Sequence, residues 1–135
     1  MSWQDALIRI SNHEIEALQR RLAEVVARRV DAEMRLIVGE AEAEAEIVRA
    51  EQDTQAGWYR ASFLQAVRQR RATLKGEVGG LIAEEAGARD ALREAFEALK
   101  KFEQVAEVSR AALAKIEAQR EAVILDDLGR RNRML

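Results

Sequence analysis

The sequence predicts an all-α fold, a two-helix antiparallel coiled-coil hairpin whose second helix is the longer one. Three observations lead to this fold class. Charged residues make up 34% of the 135 residues and apolar residues 48%, a balance typical of long helices and coiled coils. The chain contains no proline, so no position forces a helix to end or kink. Apolar residues recur three and four positions apart along two separate segments, as in a heptad repeat.

The first segment predicts helix one, which spans residues 3 to about 54. Its stretch EAEAEAE, at 40–46, alternates with a period of two as a strand would, but Ala and Glu favour helix over strand. We therefore expect helix one to include it. The positions that should face the second helix are Ile8, Ser11, Ile15, Leu18, Leu22, Val25, Arg29, Ala32, Leu36, Gly39, Ala43, Glu46 and Ala50.

The second segment predicts helix two, which spans residues from about 61 to about 131. The glycine-rich stretch KGEVGG, at 75–80, is a candidate turn, yet the heptad phase continues through it without a reset. We therefore expect the turn within DTQAGWYRAS, at 53–62, with the tip at about 55–60; whether the glycines of helix two act as a hinge is left open. The seam positions of helix two are Leu64, Val67, Arg71, Leu74, Val78, Leu81, Glu85, Ala88, Leu92, Ala95, Leu99, Phe102, Ala106, Ser109, Leu113, Ile116, Arg120 and Val123.

The charge pattern predicts the register of the hairpin. An acidic block precedes the tip and a basic block follows it, so an antiparallel pairing lays one block against the other. The register that places Glu46 opposite Arg71 gives two seam charges a partner, and a partly buried charge without a partner is costly. The same register places Ala43 opposite Leu74.

Half of the six aromatic residues gather at the predicted tip, where two helices alone cannot bury them. Two interpretations are open. Trp58 and Tyr59 fold over the last seam layer as a local cap, or they form a docking surface together with Phe63, since aromatic side chains commonly anchor interfaces.

Helix two should extend past the end of helix one after about Leu113. Contiguous apolar residues without a partner usually mark an interaction site, and a partner that accepts a helix in a groove would cover them. A frayed tail is the alternative. The residues of this overhang that we expect to bind a partner are Ile116, Val123, Ile124, Leu125, Leu128, Arg130 and Arg131.

Catalytic, cofactor-binding and metal-binding residues are not expected. The chain has no cysteine and a single histidine, His13, whereas metal sites with such ligands usually need several of them at suitable spacing. The carboxylates at 40–53 do not follow the calcium-loop pattern, and KGEVGG does not follow the phosphate-loop pattern. A two-helix hairpin also lacks a cleft that would exclude water. We therefore expect a protein that is not an enzyme and needs no cofactor.

Nucleic acid and membrane are not expected partners either. The net charge of −2 gives no general attraction to polyanions, and the acids of helix one should neutralise the basic run VRQRRATLK. The sequence shows no signal-peptide pattern and no apolar run long enough to span a bilayer. A soluble, intracellular protein without direct membrane insertion is expected.

Three segments of the chain resemble those of a known family. They read DALIRISNHEIEALQRRLAE near the N-terminus, GWYRASFLQAVRQRRATL at the tip, and EALKKFEQVAEVSRAALAKIEAQREAVILDDLGRRNR near the C-terminus. In the last segment Leu125, Asp126, Asp127 and Leu128 precede two arginines. This pattern is similar to the ending of the flagellar export protein FliJ family and its type III secretion counterparts.

The resemblance implies a cytoplasmic protein of bacterial flagellum biogenesis, and so of motility, associated peripherally with the membrane export apparatus. It implies a central stalk whose terminal coiled coil enters the hexameric export ATPase, at the overhang residues named above. It also implies binding to flagellar export chaperones and to the cytoplasmic domain of the export-gate membrane protein. The expected gate-docking residues are Trp58, Tyr59, Phe63 and Val67.

Three alternatives remain at this point. The chain is similar enough to the stalk proteins of virulence injectisomes that the sequence does not separate the two systems. A self-associating coiled-coil scaffold would use the overhang to bind another copy. A prefoldin-like holdase would need strand-forming segments for a common platform, and the sequence shows none.

Overall fold

The computed structural model describes residues 2–53 and 56–134. Helix α1 spans Trp3–Gln52, a short 3₁₀ helix spans Ala56–Trp58, and α2 spans Arg60–Met134. The two long helices pack against each other as a helical hairpin, and no strand occurs in the part of the chain that is described. The predicted all-α fold class is therefore confirmed. Residues 54 and 55, predicted as the end of helix one and the start of the tip, lie outside the described residues.

A reciprocal capping arrangement starts α1. The Ser2 hydroxyl accepts a hydrogen bond from the backbone N–H of Asp5 at 3.3 Å and donates one to Asp5 Oδ2 at 3.0 Å. The backbone N–H of Ser2 also donates to Asp5 Oδ2, at 3.3 Å. This is a capping box, which satisfies donors that the first turn of a helix otherwise leaves without partners. These hydrogen bonds from Ser2 hold the pKa of Asp5 below its usual value of 3.8.

Helix α2 continues through the glycine-rich stretch at 75–80 without interruption. None of the described glycines has a positive φ, so all of them keep ordinary backbone geometry. The turn of the hairpin lies between Gln52 and Arg60, as the unbroken heptad phase predicts. Gly76, Gly79 and Gly80 are thus helical positions in this structure.

The hairpin divides into two compact units, residues 16–93 and residues 1–15 with 94–135. We call these the tip unit and the terminal unit. In the tip unit, Val25 is fully buried, and Ala32 and Val67 are nearly so. All predicted seam positions of the tip unit are buried or half-buried, except Arg71, which is exposed. The heptad pattern therefore identifies the contact face of both helices in this unit.

In the terminal unit, the buried residues are Gln4, Ser11, Ile15 and Ala106. The Gln4 side-chain amide donates to the Ser109 hydroxyl at 3.4 Å, which gives two polar groups in this seam a partner. Beyond Ser109, every residue of α2 up to position 128 is exposed. The predicted overhang is therefore present as a helix that packs against no other element of its unit.

The predicted register of the tip unit is wrong by about half a heptad. Leu74 packs closely against Gly39, whereas the predicted register pairs it with Ala43. The predicted seam pair of Glu46 with Arg71 is corrected in the same way, because each residue has another partner. Glu46 lies 3.8 Å from Arg70, and Arg71 lies 3.6 Å from Glu40 at the edge of the seam. The physical reason is that Gly39 has no side chain, so the bulky Leu74 fits closely at that layer.

Candidate docking surfaces

The overhang of the terminal unit, residues 113–134, presents a wide apolar surface. Ile116 and Val123 are seven residues apart and so lie on one side of the helix, with Ile124 beside them. The adjoining side is apolar too, through Leu125 and Leu128. These five side chains are between 44% and 67% exposed. A surface of this kind can bind a partner by burial.

The overhang ends in a cluster of positive charge. Arg130 and Arg131 are exposed, Arg133 follows them, and no acidic residue occurs after Asp127. Cations near the C-terminus of a helix interact favourably with the helix dipole. The arginines therefore support the last turns and also favour a partner with acidic groups.

The predicted tip residues separate into exposed and buried members. Trp58 is 86% exposed, and its ring meets that of Tyr59 edge to face, with 5.1 Å between the centroids and 84° between the planes. Phe63 is half-buried and Val67 is buried. Trp58 does not cover the seam, which argues against the interpretation that it acts as a cap. Of the four, Trp58 is the most accessible side chain, while Val67 belongs to the core.

A groove of about 390 Å³ lies beside Gly39 in the tip unit. Gly39 and Leu74 both line the groove, and Leu74 Cδ1 fills the space that a side chain at position 39 would need. Sequence reasoning missed this feature. The groove is lined by Met34, Arg35, Val38, Gly39, Glu40, Glu42, Ala43, Val67, Arg70, Arg71 and Leu74.

Ion pairs connect the two helices of the tip unit. Arg21 and Arg28 both donate to Glu84 Oε1, at 2.8 and 2.7 Å. Arg35 makes two hydrogen bonds with Glu77, at 2.6 and 3.2 Å, and these raise the pKa of Arg35. Such pairs orient one helix against the other.

The most shielded of these ion pairs joins Arg29 to Glu85 at 3.1 Å. The side chains of Arg29 and Glu85 are 23% and 15% exposed. Arg29 also donates to both carboxylate oxygens of Glu33, one turn along α1. Hydrogen bonds to Glu85 and then to Glu33 raise the pKa of Arg29. Both residues are predicted seam positions, and the register of the structure brings them into contact.

No cluster of three or more His, Cys, Asp or Glu side chains that could hold a metal ion occurs among residues 2–53 and 56–134. In the same ranges, no helix has the length and apolar character required to cross a bilayer.

Two curated proteins of Caulobacter vibrioides, each named Flagellar FliJ protein, are similar to this chain. They come from strain NA1000 / CB15N and strain CB 15. Each is 51% identical over 126 residues, which cover 93% of this chain and 91% of the relative. The chain belongs to the FliJ family. No family model and no solved structure matches it.

Membership of the FliJ family confirms the resemblance carried by the three sequence segments. It makes this chain a component of flagellar protein export and flagellum biogenesis. The helical hairpin fits the coiled-coil character that the sequence predicts.

Proposed function

We propose that this FliJ-family chain is a non-enzymatic stalk and adaptor of the flagellar type III export apparatus. Its overhang inserts into the hexameric export ATPase, and its tip contacts the cytoplasmic domain of the export-gate membrane protein. The chain works in the cytoplasm, peripherally associated with the membrane apparatus, and escorts export chaperones. The observation that carries the proposal is the continuation of α2 as an exposed apolar helix after its contact with α1 ends.

The exposed apolar surface of the overhang gives the reason for binding. Complete burial of a large apolar side chain is worth about 1.5–3 kcal/mol. Ile116, Val123 and Ile124 are about half exposed, so each contributes on the order of 1 kcal/mol when a partner covers it. A ring that surrounds the helix covers several sides at once, including Leu125 and Leu128. The combined burial is large enough to offset part of the cost of association.

The tip supports the adaptor part of the proposal. Trp58 is an exposed aromatic side chain next to a second aromatic ring, and Trp is the type of residue that most often dominates binding energy. Phe63 extends the same region towards the seam. Val67 is buried, so it acts by holding the tip surface in place and does not itself contact the partner.

ATP hydrolysis by the flagellar export ATPase of the same organism tests the stalk. The assay compares the full chain, the double variant Ile116→Glu/Val123→Glu and the control Ile82→Glu. Ile82 is 49% exposed on α2 but lies in the tip unit. We expect the full chain and the control to stimulate hydrolysis and ring assembly, and the double variant to do neither while keeping its helicity. Stimulation by the double variant would contradict insertion of the overhang.

Binding to the cytoplasmic domain of the export-gate protein tests the tip. Trp58→Ala should lower the affinity about tenfold or more, the scale of an interface residue that dominates binding. ATPase stimulation by this variant should not change. Trp3→Ala removes an exposed tryptophan of the terminal unit and serves as the matched control. Equal affinity of the two variants would remove Trp58 from the proposed contact.

A further inference from the structure

The apolar seams of α1 and α2 keep one heptad phase across the tip of the hairpin. Ala50 is the last seam position of α1 and Leu64 is the first of α2, and both are half-buried. They are two whole heptads apart in the sequence, although a turn separates them. If residues 53–59 were helical, α1 and α2 would therefore form one continuous helix with an unbroken seam. A turn that changed the phase would leave the two seams on different sides of such a helix.

Neither the sequence nor the described backbone of the tip obliges the chain to turn. The sequence contains no proline, and none of the described residues has a positive φ. Ala56–Trp58 already form a 3₁₀ helix, whose dihedral angles are close to those of an α-helix. Across the turn, Arg60 lies 3.5 Å from Glu51, and the two side chains are 52% and 55% exposed. Because an exposed ion pair contributes little to stability, its loss costs little when the turn opens.

The register of the hairpin gives the contacts that two continuous helices would make. Facing residues of the tip unit have numbers with a nearly constant sum, which is 113 for Gly39 and Leu74. For Arg29 and Glu85 the sum is 114. Two antiparallel copies in this register therefore cross where Gly57 of one copy faces Gly57 of the other. Glycine adds no side chain at this layer, so the two helices can approach closely at the crossing.

Opposite charges meet on both sides of this crossing. In the same register Asp53 of one copy faces Arg60 of the other, at the seam positions next to Gly57. A charge in a seam is costly unless it has a partner, and these two residues supply one for each other. They are the only charged residues between 53 and 60, so like charges do not meet in the newly helical segment. In the continuous helix Glu51 lies nine positions from Arg60 and on the opposite side, so Asp53 of the other copy takes its place.

We propose that the hairpin opens at the tip and that two copies form a domain-swapped dimer, in which α1 of each copy packs on α2 of the other. The contacts between α1 and α2 in the tip unit are made again between copies, so the exchange costs little beyond the change at the tip. The closed hairpin is favoured at low concentration, because its two helices are linked, and the dimer is favoured at high concentration. The dimer uses no residue of the overhang, so the proposal does not rest on the stalk role.

Light scattering of the refolded full-length chain tests whether the dimer forms. The chain is refolded from urea at two concentrations roughly a hundredfold apart and then separated by size exclusion. We expect the monomer of 15.2 kDa at the low concentration and a species of twice that mass at the high concentration. The dimer should persist after dilution, because its return to closed hairpins requires the paired helices to separate.

Engineered cysteines distinguish a swapped dimer from two closed hairpins that associate. The chain has no cysteine of its own, and positions 39 and 74 are in direct contact. In the variant Gly39→Cys/Leu74→Cys, oxidation of the isolated dimer should join two chains covalently on a denaturing gel. Oxidation of the monomer should instead close a link within one chain. Arg35→Cys/Glu77→Cys, joined by a short bifunctional thiol reagent, gives the same readout if the first pair lowers helicity.

Arg60→Pro tests whether a helix must run through the tip. Arg60 is the first residue of α2, where proline is tolerated, whereas proline inside a continuous helix is strongly unfavourable. We expect this variant to keep the helicity of the monomer and to form no dimer at the higher concentration. The control Arg60→Ala removes the same guanidinium but permits the helix, so it should still form the dimer, although at a higher concentration than the unchanged chain.

Three outcomes would overturn the proposal. The first is a monomer mass at both concentrations. The second is an isolated dimer whose cysteine links stay within one chain, since closed hairpins would then associate through another surface. The third is equal dimer formation by Arg60→Pro and Arg60→Ala, because continuity of the helix would then not matter. Arg60→Pro should still stimulate the export ATPase as a monomer, so this test and that of the stalk can fail separately.

Discussion

A methyl group on Gly39 would lie 2.9 Å from Cδ1 of Leu74 on the facing helix. Carbon atoms in favourable contact are about 3.5–4.0 Å apart, so Leu74 occupies space that any other residue at position 39 would need. The absence of a side chain at Gly39 therefore sets which layer of α1 receives Leu74.

Two glycine substitutions should differ in their effect on stability. Gly79→Ala should raise the free energy of unfolding by about 0.5–1 kcal/mol, because alanine favours helix and its Cβ meets no atom within 4 Å. Gly39→Ala gains the same helix propensity but forces Leu74 to move, so its gain should be smaller or negative. Urea denaturation of both variants measures the difference. An equal gain at the two positions would show that Leu74 moves at no cost.

The Arg29–Glu85 ion pair should stabilise the hairpin more than an exposed pair does. Its side chains are mostly shielded from solvent, whereas those of Arg93 and Asp90 are 67% and 60% exposed. Arg29→Gln and Glu85→Gln should each lower Tm, and the double variant should lower it by less than the two losses combined. The same cycle on Arg93 and Asp90 should show almost no coupling. Additive losses for Arg29 and Glu85 would mean that the pair contributes nothing as a pair.

The first turn of α1 should lose stability in acid. The folded pKa of Asp5 lies below the usual value of 3.8, so folding favours the ionised carboxylate. The ionised Asp5 carboxylate therefore contributes its full stabilisation of the first turn above about pH 3.8. This stabilisation is lost as the pH falls from there through the lower pKa of the folded state. Amide exchange at the start of α1, followed against pH, measures the effect. Asp5→Asn should remove the transition, while Asp127→Asn should leave it unchanged.

Ser2→Ala should weaken the same turn at every pH. The loss of a serine N-cap costs about 0.5–2 kcal/mol, and here it also removes the hydroxyl that donates to Asp5. We expect faster amide exchange in the first turn and a pKa of Asp5 closer to 3.8. Protection unchanged from that of the original chain would mean that the cap does not hold the turn in solution.

Val25→Ala should lower the stability of the fold more than Val108→Ala does. Val25 is fully buried, so the loss of two methyl groups and the space they leave should cost about 1–3 kcal/mol. Val108→Ala makes the same chemical change at a side chain that is 69% exposed. Its effect should stay within about 0.5 kcal/mol. Thermal unfolding of both variants, followed by circular dichroism, compares them.

The contact face of each helix could be predicted from the sequence, because a heptad repeat needs only the apolar pattern of one helix at a time. The turn was predictable for the same reason, since Leu74, Val78 and Leu81 keep their phase across the glycines. The overhang followed from the longer second segment. These features depend on periodicity, which the sequence carries directly.

The register could not be predicted from charge. Long arginine side chains reach several residues along a facing helix, as Arg70 and Arg71 do towards Glu46 and Glu40. Ion pairs can therefore form in more than one register. The contact between Gly39 and Leu74 depends on shape, and shape becomes visible only when both helices are placed. The capping box was readable from the SWQD motif at the start of the chain and was missed.

The overhang of α2 links the formation of its own helix to binding. Most of the stability of helices in proteins comes from packing against other elements, whereas residues 113–134 are exposed and pack against no other element of their unit. Any partner that covers this segment also shifts its helix–coil equilibrium. A substitution such as Ala118→Gly, which lowers helix propensity by about 1 kcal/mol, would weaken binding even if the residue never touched the partner. Affinity at this end of the chain can thus be adjusted without any change to the interface.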